Sequence, residues 1–231
     1  MIAAPVYRIV RTEHDPFLAP PRTLAGKSRF DCPVGSFGVI YAASTPAAAY
    51  GEIMAQHRPK LAALALVEET SDSTTVENSP QSDAQGSALL PPSTIAPIWI
   101  TSRHIDWTTV DASLRCADLV HPDTVQALRP ALASLLTSKQ IADLDMAALF
   151  SADRAVTQHI ASYLHRLHSI DGHPVIAGIR YPSRLHLGWE CWALFADRLQ
   201  HGPVYSRAVE PDEPGFQEAC RVLNLDVAAA G

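Results

Sequence analysis

Ser28-Arg-Phe-Asp-Cys-Pro-Val-Gly-Ser-Phe-Gly-Val-Ile-Tyr-Ala-Ala-Ser-Thr-Pro-Ala-Ala-Ala-Tyr-Gly-Glu-Ile53 is the stretch that decides the fold. Within it, residues 37–43 form a short apolar run bounded by proline and glycine before it and by Ser-Thr-Pro after it, which predicts a buried strand. Thr45 then supplies the oxygen that an N-cap requires, and Pro46 suits the first helical position. The stretch therefore predicts a loop, a strand and a helix over residues 47–56.

Three polar side chains of this stretch form a recognisable set. Arg29 lies in the loop, Tyr41 in the strand and Glu52 in the helix. A cation, a phenol and a carboxylate on consecutive elements are suited to an anionic ligand that carries a sugar. Gly51, beside Glu52, costs ~1 kcal/mol in a helix relative to alanine, so something approaches the helix closely there. That neighbour is either a ligand or another part of the fold.

Composition narrows the class of protein. The 231 residues are 47% hydrophobic and 18% charged, which is typical of a globular chain with one substantial core. A net charge of −6 and the lack of a basic stripe argue against direct nucleic-acid binding. The four cysteines are scattered without CxxC spacing, which favours free thiols in a reducing compartment. We therefore expect a cytoplasmic location, with neither an export leader nor a membrane span.

The remaining chain divides into short elements around one polar segment. Residues 68–97 are rich in Ser, Thr, Asp, Asn, Gln and Pro, which indicates an irregular insertion. Apolar runs and periodicity predict a short strand over residues 98–100, a helical region over 121–150 broken near Pro130, a helix over 153–168, strands over 175–181 and 189–195, and a final helix over 214–223.

Several polar side chains are candidates for a site, and each has a structural alternative. Arg8 and Arg29 lie beside apolar strands, where a guanidinium either forms an ion pair, with Asp31 or another acid, or holds an anionic ligand. Glu52 is either a solvated helix acid or a group that binds sugar hydroxyls. Ser183 is either a turn serine after proline or a hydrogen-bonding partner of a ligand.

Three blocks in order resemble the RES domain, a family named for its arginine, glutamate and serine. They are Tyr7-Arg-Ile9, the stretch described first, and Val175-Ile-Ala-Gly-Ile-Arg-Tyr-Pro-Ser-Arg184 followed by Glu190-Cys-Trp-Ala-Leu-Phe195. The resemblance implies an α+β fold like that of ADP-ribosyltransferases, with two small sheets that form an NAD cleft and helices packed around them. It also implies one catalytic domain over residues 1–205, with the insertion inside it, and a C-terminal extension over 206–231 with a short helix.

The same resemblance implies a function. RES proteins degrade NAD as a substrate by cleaving the nicotinamide–ribose bond, with water or phosphate as the acceptor, and they are toxins neutralised by an Xre-type antitoxin. By the match, Glu52, Arg29 and Tyr41 are catalytic, and Arg8 and Ser183 join them in binding NAD, with Tyr41 at the nicotinamide end. A homo-oligomer within the toxin–antitoxin complex is compatible with this. The alternatives are a mono-ADP-ribosyltransferase that modifies a protein and a catalytically inactive binding module.

Other ligand motifs are weak. His165, His168 and His173 are close in sequence but lack the acid or cysteine pair of a zinc motif, so we expect no metal. The Gly35-Ser-Phe-Gly38 spacing matches neither a P-loop nor a dinucleotide fingerprint. If NAD binds, it binds without a Rossmann unit.

Overall fold

The computed structural model describes residues 5–19, 21, 26–58, 93–111 and 113–228. Nine strands lie within these ranges: β1 (Pro5–Arg11), β2 (Val39–Ala43), β3 (Thr94–Ile95), β4 (Arg103–Thr109), β5 (Cys116–Asp118), β6 (Gly178–Pro182), β7 (Glu190–Phe195), β8 (Tyr205–Ala208) and β9 (Asp226–Val227). The α-helices described are α1 (Pro46–Met54), α2 (Pro97–Thr101), α3 (Pro122–Ser138), α4 (Met146–Phe150), α5 (Arg154–His165) and α6 (Pro214–Leu223). This confirms the α+β class.

The main sheet has seven strands in the order β5-β6-β7-β2-β1-β4-β8. Only β5 and β6 are parallel, and all other neighbours are antiparallel. Strands β1 and β2 share a single registered pair, Tyr7 with Ala43, whereas β2 pairs with β7 along its whole length. The sheet therefore consists of a four-stranded half and a three-stranded half that separate beside this pair. A second, two-stranded sheet is formed by β3 and β9.

The helices cover one face of the main sheet. One hydrophobic cluster joins α3, α4 and α5 to inward side chains of β2, β5, β6 and β7, and a second joins α1 and α6 to β1 and β4. The opposite face carries the alternate side chains, including Val6, Ile40 and Leu194, and loop residues such as Phe17 cover it. Within the described ranges, none of the helices combines the length and the apolar character needed to cross a membrane.

Helix α1 begins as the sequence predicts. The Thr45 side chain accepts a hydrogen bond from the Ala48 amide at 3.2 Å, and Pro46 occupies the first turn. Gly51 has a packing explanation: a Cβ atom there would lie 2.1 Å from Cζ3 of the buried Trp189 indole. The close neighbour expected at this glycine is therefore part of the fold, and it fixes the distance between α1 and the segment before β7.

Two predictions of local structure are wrong. Residues 98–100 are part of α2 and not a strand, because Pro97 starts a helical turn. A run of three apolar residues is too short for its periodicity to distinguish a helix from a strand. Helix α3 continues through Pro130, whose ring lies on the exposed side, and it ends where Gln140 adopts a left-handed conformation with φ of 56°.

The predicted insertion over residues 68–97 and the predicted C-terminal extension over 206–231 can be compared with the structure to different extents. Most of the predicted 68–97 insertion lies outside the described residues. Its end, residues 93–97, contains β3, which pairs with β9 near the C-terminus. The predicted final helix is confirmed as α6, which packs against α1: a Cβ atom on Gly215 would approach Pro46 Cβ to 2.7 Å. The residues after 205 thus share the second hydrophobic cluster.

Replacing Gly51 with alanine tests the contact between α1 and Trp189. Alanine favours the helical backbone by ~1 kcal/mol, but its methyl group would overlap the indole, so we expect Gly51→Ala to lower the free energy of unfolding by about 1–3 kcal/mol. Urea denaturation measures this. In a Trp189→Leu background the same substitution should cost less, because the steric conflict is gone. A Gly51→Ala variant more stable than the parent would contradict the packing explanation.

Candidate active site

A cavity of about 440 Å³ opens where the two halves of the sheet separate. Four of the predicted site residues line it: Arg8 from β1, Arg29 from the loop before β2, Tyr41 from β2 and Glu52 from α1. The fifth, Ser183, lies behind Glu52. A larger hollow of about 710 Å³ borders β5 and α3 and contains none of the predicted residues. We take the smaller cavity as the candidate site because the charged side chains converge there.

Arg29 is a half-buried cation whose environment is largely aromatic. Its guanidinium lies 5.2–5.3 Å from the ring centroids of Phe30, Phe150 and Tyr181, and Nη2 donates to the Leu149 carbonyl at 2.9 Å. No described acid forms an ion pair with it, and Nε is buried without a hydrogen-bond partner. Burial lowers the pKa of Arg29 from its ordinary value. The suggested ion pair with Asp31 is absent, so this cation can pair with a bound anion.

Tyr41 and Asp31 hold the loop that carries Arg29. The Tyr41 hydroxyl donates to Oδ1 of Asp31 at 2.8 Å and accepts the Phe30 amide at 2.9 Å. The other carboxylate oxygen, Oδ2, accepts the Ser28 amide at 2.8 Å. Burial, followed by the nearby Asp31 charge, raises the pKa of Tyr41 well above its ordinary value, so the hydroxyl remains a proton donor. The two side chains thus fix the backbone on both sides of Arg29.

Glu52 is exposed to the cavity and is held from behind. The Ser183 hydroxyl, which is 1% exposed, donates to Oε1 of Glu52 at 2.5 Å and accepts the Leu185 amide at 3.0 Å. The Ser183 amide donates to the Trp189 carbonyl at 2.7 Å, so the serine itself is fixed. Burial, and then the charge of Glu52, raise the pKa of the Cys191 thiol, which therefore stays neutral next to the carboxylate.

Arg8 lies on the cavity wall in a different setting. One guanidinium nitrogen donates to the Pro16 carbonyl. Burial lowers the pKa of Arg8, whereas the carboxylates of Asp106 and Asp15 act in the opposite direction. Arg8 is therefore partly compensated by Asp106 and Asp15, whereas the carboxylate whose charge acts on Arg29 is Glu52, which lines the same cavity.

Three further cations line the cavity and were not among the predicted site residues: Lys27, Arg154 and Arg184. Two of them are tied to neighbouring backbone, because Arg154 donates to the Lys27 carbonyl and Arg184 to the Ser151 carbonyl at 3.3 Å. Arg184 directly follows Ser183, which was its only sequence signal. The described lining residues thus include five cations and one carboxylate, Glu52, in a chain whose net charge is −6.

The histidines do not form a metal site within the ranges that the structure describes. There, no group of three or more His, Cys, Asp or Glu side chains is arranged to hold a metal ion. His165 instead pairs with Asp197 at 3.0 Å and stacks on Phe37 with ring centroids 4.0 Å apart. These contacts give His165 a structural explanation.

The sequence matches one known family over most of its length. The model of the RES domain matches residues 5–213. The chain belongs to the RES domain family. No curated protein matches this RES chain. A solved structure, the M. tuberculosis MbcT–MbcA toxin–antitoxin complex, contains a chain that is 15% identical, with a TM-score of 0.46 and coverage of 90% of this chain and 85% of that chain.

Tyr41→Phe tests the support of the Arg29 loop. The substitution removes one donor and leaves an Asp31 oxygen and the Phe30 amide without their partner, so we expect a loss of about 1–3 kcal/mol in the free energy of unfolding. Denaturation in urea gives the value. The matched control is Tyr163→Phe, whose half-buried ring packs on the same hydrophobic cluster. Equal stability changes in the two variants would show that the Tyr41 hydroxyl does not hold the loop.

Proposed function

We propose that this RES protein is an enzyme that cleaves the nicotinamide–ribose bond of NAD and acts as the toxin of a toxin–antitoxin pair. One observation supports it above all others: five cations and the Ser183-bound carboxylate of Glu52 line the same cavity. Such a site suits a ligand with negative phosphates and a sugar that becomes positive during the reaction. Membership of the RES family supports NAD as that ligand.

The cations bind the pyrophosphate. Arg29 carries the largest share because its planar guanidinium suits two phosphate oxygens and forms no ion pair with a described carboxylate. Lys27, Arg154 and Arg184 add positive charge around the same group. Burial of Arg29 among aromatic rings lowers the local dielectric and strengthens its attraction for an anion.

Glu52 promotes bond cleavage. The bond between ribose C1′ and the ring nitrogen breaks with its electron pair moving to nitrogen, so the pyridinium leaves as neutral nicotinamide. The fixed negative charge of Glu52 stabilises the oxocarbenium-like sugar that forms. An oxygen of water or phosphate then bonds to C1′. When the acceptor is water, its surplus proton passes to the Glu52 carboxylate and on to solvent.

Two residues act through their neighbours in this scheme. Ser183 positions Glu52, because its hydroxyl is buried and directed at Oε1. Tyr41 supports Arg29 through Asp31 and the Phe30 amide. Their removal should therefore lower activity less than removal of the groups that they hold.

Glu52→Gln tests the proposed reaction. We expect the release of nicotinamide from NAD to fall at least ~100-fold, because the amide cannot balance the developing positive charge. Melting temperature should stay within a few degrees of the parent, since the side chain is exposed to the cavity. Glu210→Gln is the matched control, an exposed acid outside the cavity. Equal turnover by the parent and Glu52→Gln would rule out this role.

The assay also separates the alternative functions. Mass spectrometry of a lysate treated with the enzyme and NAD distinguishes the acceptors, because a discrete ADP-ribose adduct on one protein indicates a mono-ADP-ribosyltransferase. Bulk loss of NAD without adducts supports cleavage with water or phosphate as acceptor. Binding of NAD by calorimetry with no turnover would identify an inactive binding module.

The partner that we propose is an Xre-type antitoxin, and the support for it is membership of the RES family. Expression of the chain alone should arrest growth and deplete NAD, whereas co-expression with the antitoxin should restore both. Growth arrest by Glu52→Gln equal to that of the parent would separate toxicity from NAD cleavage.

A further inference from the structure

One row of side chains crosses six strands of the main sheet. Each member is the registered partner of the next on the adjacent strand, so all of them point to the helix-covered face. The row runs from β6 to β8 through Tyr181, Cys191, Ala43, Tyr7, Trp107 and Tyr205. It passes the candidate site, because its first four members line the cavity.

The two ends of this cross-strand row differ in chemistry. At the β6 end, the Arg29 guanidinium lies 5.2 Å from the Tyr181 ring centroid, and Glu52 adjoins Cys191. At the other end, three aromatic rings stack in sequence: Tyr7 and Trp107 have centroids 6.4 Å apart, and Trp107 and Tyr205 have centroids 5.6 Å apart. Along the row, Arg29 with its aromatic neighbours therefore lies at one side of the cavity, Glu52 comes next, and Tyr7, the ring of the stack that lines the cavity, lies at the other side, called here the aromatic side.

The aromatic side is accessible. Tyr7 and Trp107 are half-buried, and Tyr205 is 54% exposed at the edge strand. Tyr7 lies two strands from Cys191, a distance of roughly 10 Å at the usual strand spacing. That distance leaves room for a flat ring between the tyrosine and Glu52.

We infer that Tyr7, backed by Trp107, receives the nicotinamide ring of the substrate. This inference rests on the proposed function. In NAD, the scissile bond separates a positively charged pyridinium from the sugar and the two phosphates. When the phosphates bind the cations and the sugar lies at Glu52, the nicotinamide ring lies on the side of Glu52 away from Arg29, where Tyr7 lines the cavity.

Charge supports the same orientation. A pyridinium beside Lys27, Arg29 and Arg184 would be repelled, whereas aromatic faces attract a cation. Arg8 is the exception on the aromatic side, and its charge is partly balanced by Asp106 and Asp15. After cleavage the ring is neutral, its attraction to the tyrosine weakens, and it can leave along the exposed part of the row.

The test compares NAD with ADP-ribose, which lacks the pyridinium. Binding is measured by calorimetry on proteins that carry Glu52→Gln, because this substitution prevents turnover. Adding Tyr7→Ala should weaken binding of NAD roughly tenfold, and leave the Kd of ADP-ribose within about twofold. With Glu52 intact, Tyr7→Ala should raise KM for NAD by a similar factor and weaken inhibition by the neutral free nicotinamide by a smaller one, whereas Tyr7→Phe should preserve both.

Tyr205→Ala is the matched control, since it removes an aromatic ring of the same row outside the cavity. Melting temperatures check that each variant folds. Equal loss of NAD and ADP-ribose affinity in Tyr7→Ala, or no loss of either, would overturn the inference. A parent protein that binds neither ligand would contradict the proposed function. A parent protein that binds both but does not cleave NAD would contradict catalysis, and the Kd values of the Tyr7→Ala variant would still decide whether Tyr7 receives the ring.

Discussion

The pairing of Tyr7 with Ala43 is the contact on which the candidate site depends. It is the single registered pair between β1 and β2, and it joins two half-sheets that separate beside it. A continuous ladder in this register would bring Ile9 and Tyr41 to ordinary strand spacing and close the cavity. The sheet therefore keeps one core, covered by helices on one face, and still provides a cleft.

Supporting hydrogen bonds make that cleft specific. Buried polar groups hold both charged residues of the proposed mechanism: Ser183 holds Glu52, and Tyr41 with Asp31 holds the loop of Arg29. Gln158 of α5 adds two bonds to the same loop, from Nε2 to the carbonyls of Gly26 at 2.9 Å and Ser28 at 3.0 Å. Glu52 is thus positioned by Ser183, which does not line the cavity. The Arg29 loop is positioned by Tyr41, whose hydroxyl is already bonded to Asp31 and to the Phe30 amide.

Much of this arrangement could be predicted from the sequence. The Thr45-Pro46 start of α1, the final helix over 214–223 and the membership of the RES family are confirmed. The α+β class followed from the resemblance to the RES domain, and the strand blocks near both ends of the chain with helices between them agree with it. Four of the residues that line the cavity, Arg8, Arg29, Tyr41 and Glu52, were assigned from the blocks that resemble the RES domain.

Other features could not be predicted because they depend on contacts distant in sequence. The apolar run at 98–100 is too short for periodicity to show that it is helical. The end of α3 is set by the left-handed backbone of Gln140 and not by Pro130. Lys27 and Arg154 reach the cavity only after α5 packs beside the loop. The cross-strand row could not be predicted from the sequence either, because its registers join residues as far apart as Ala43 and Cys191.

The division of the main sheet also separates the side chains by origin. Ser183 and Tyr41 belong to the four-stranded half, and Tyr7 and Trp107 belong to the three-stranded half. Helix α1 bridges the two, because its apolar side chains share a cluster with β1 and β4 while its Glu52 carboxylate accepts the Ser183 hydroxyl of the other half. Any movement of one half against the other would therefore have to break either the packing of this helix or the bond that orients its acid, so the helix acts as a brace across the seam.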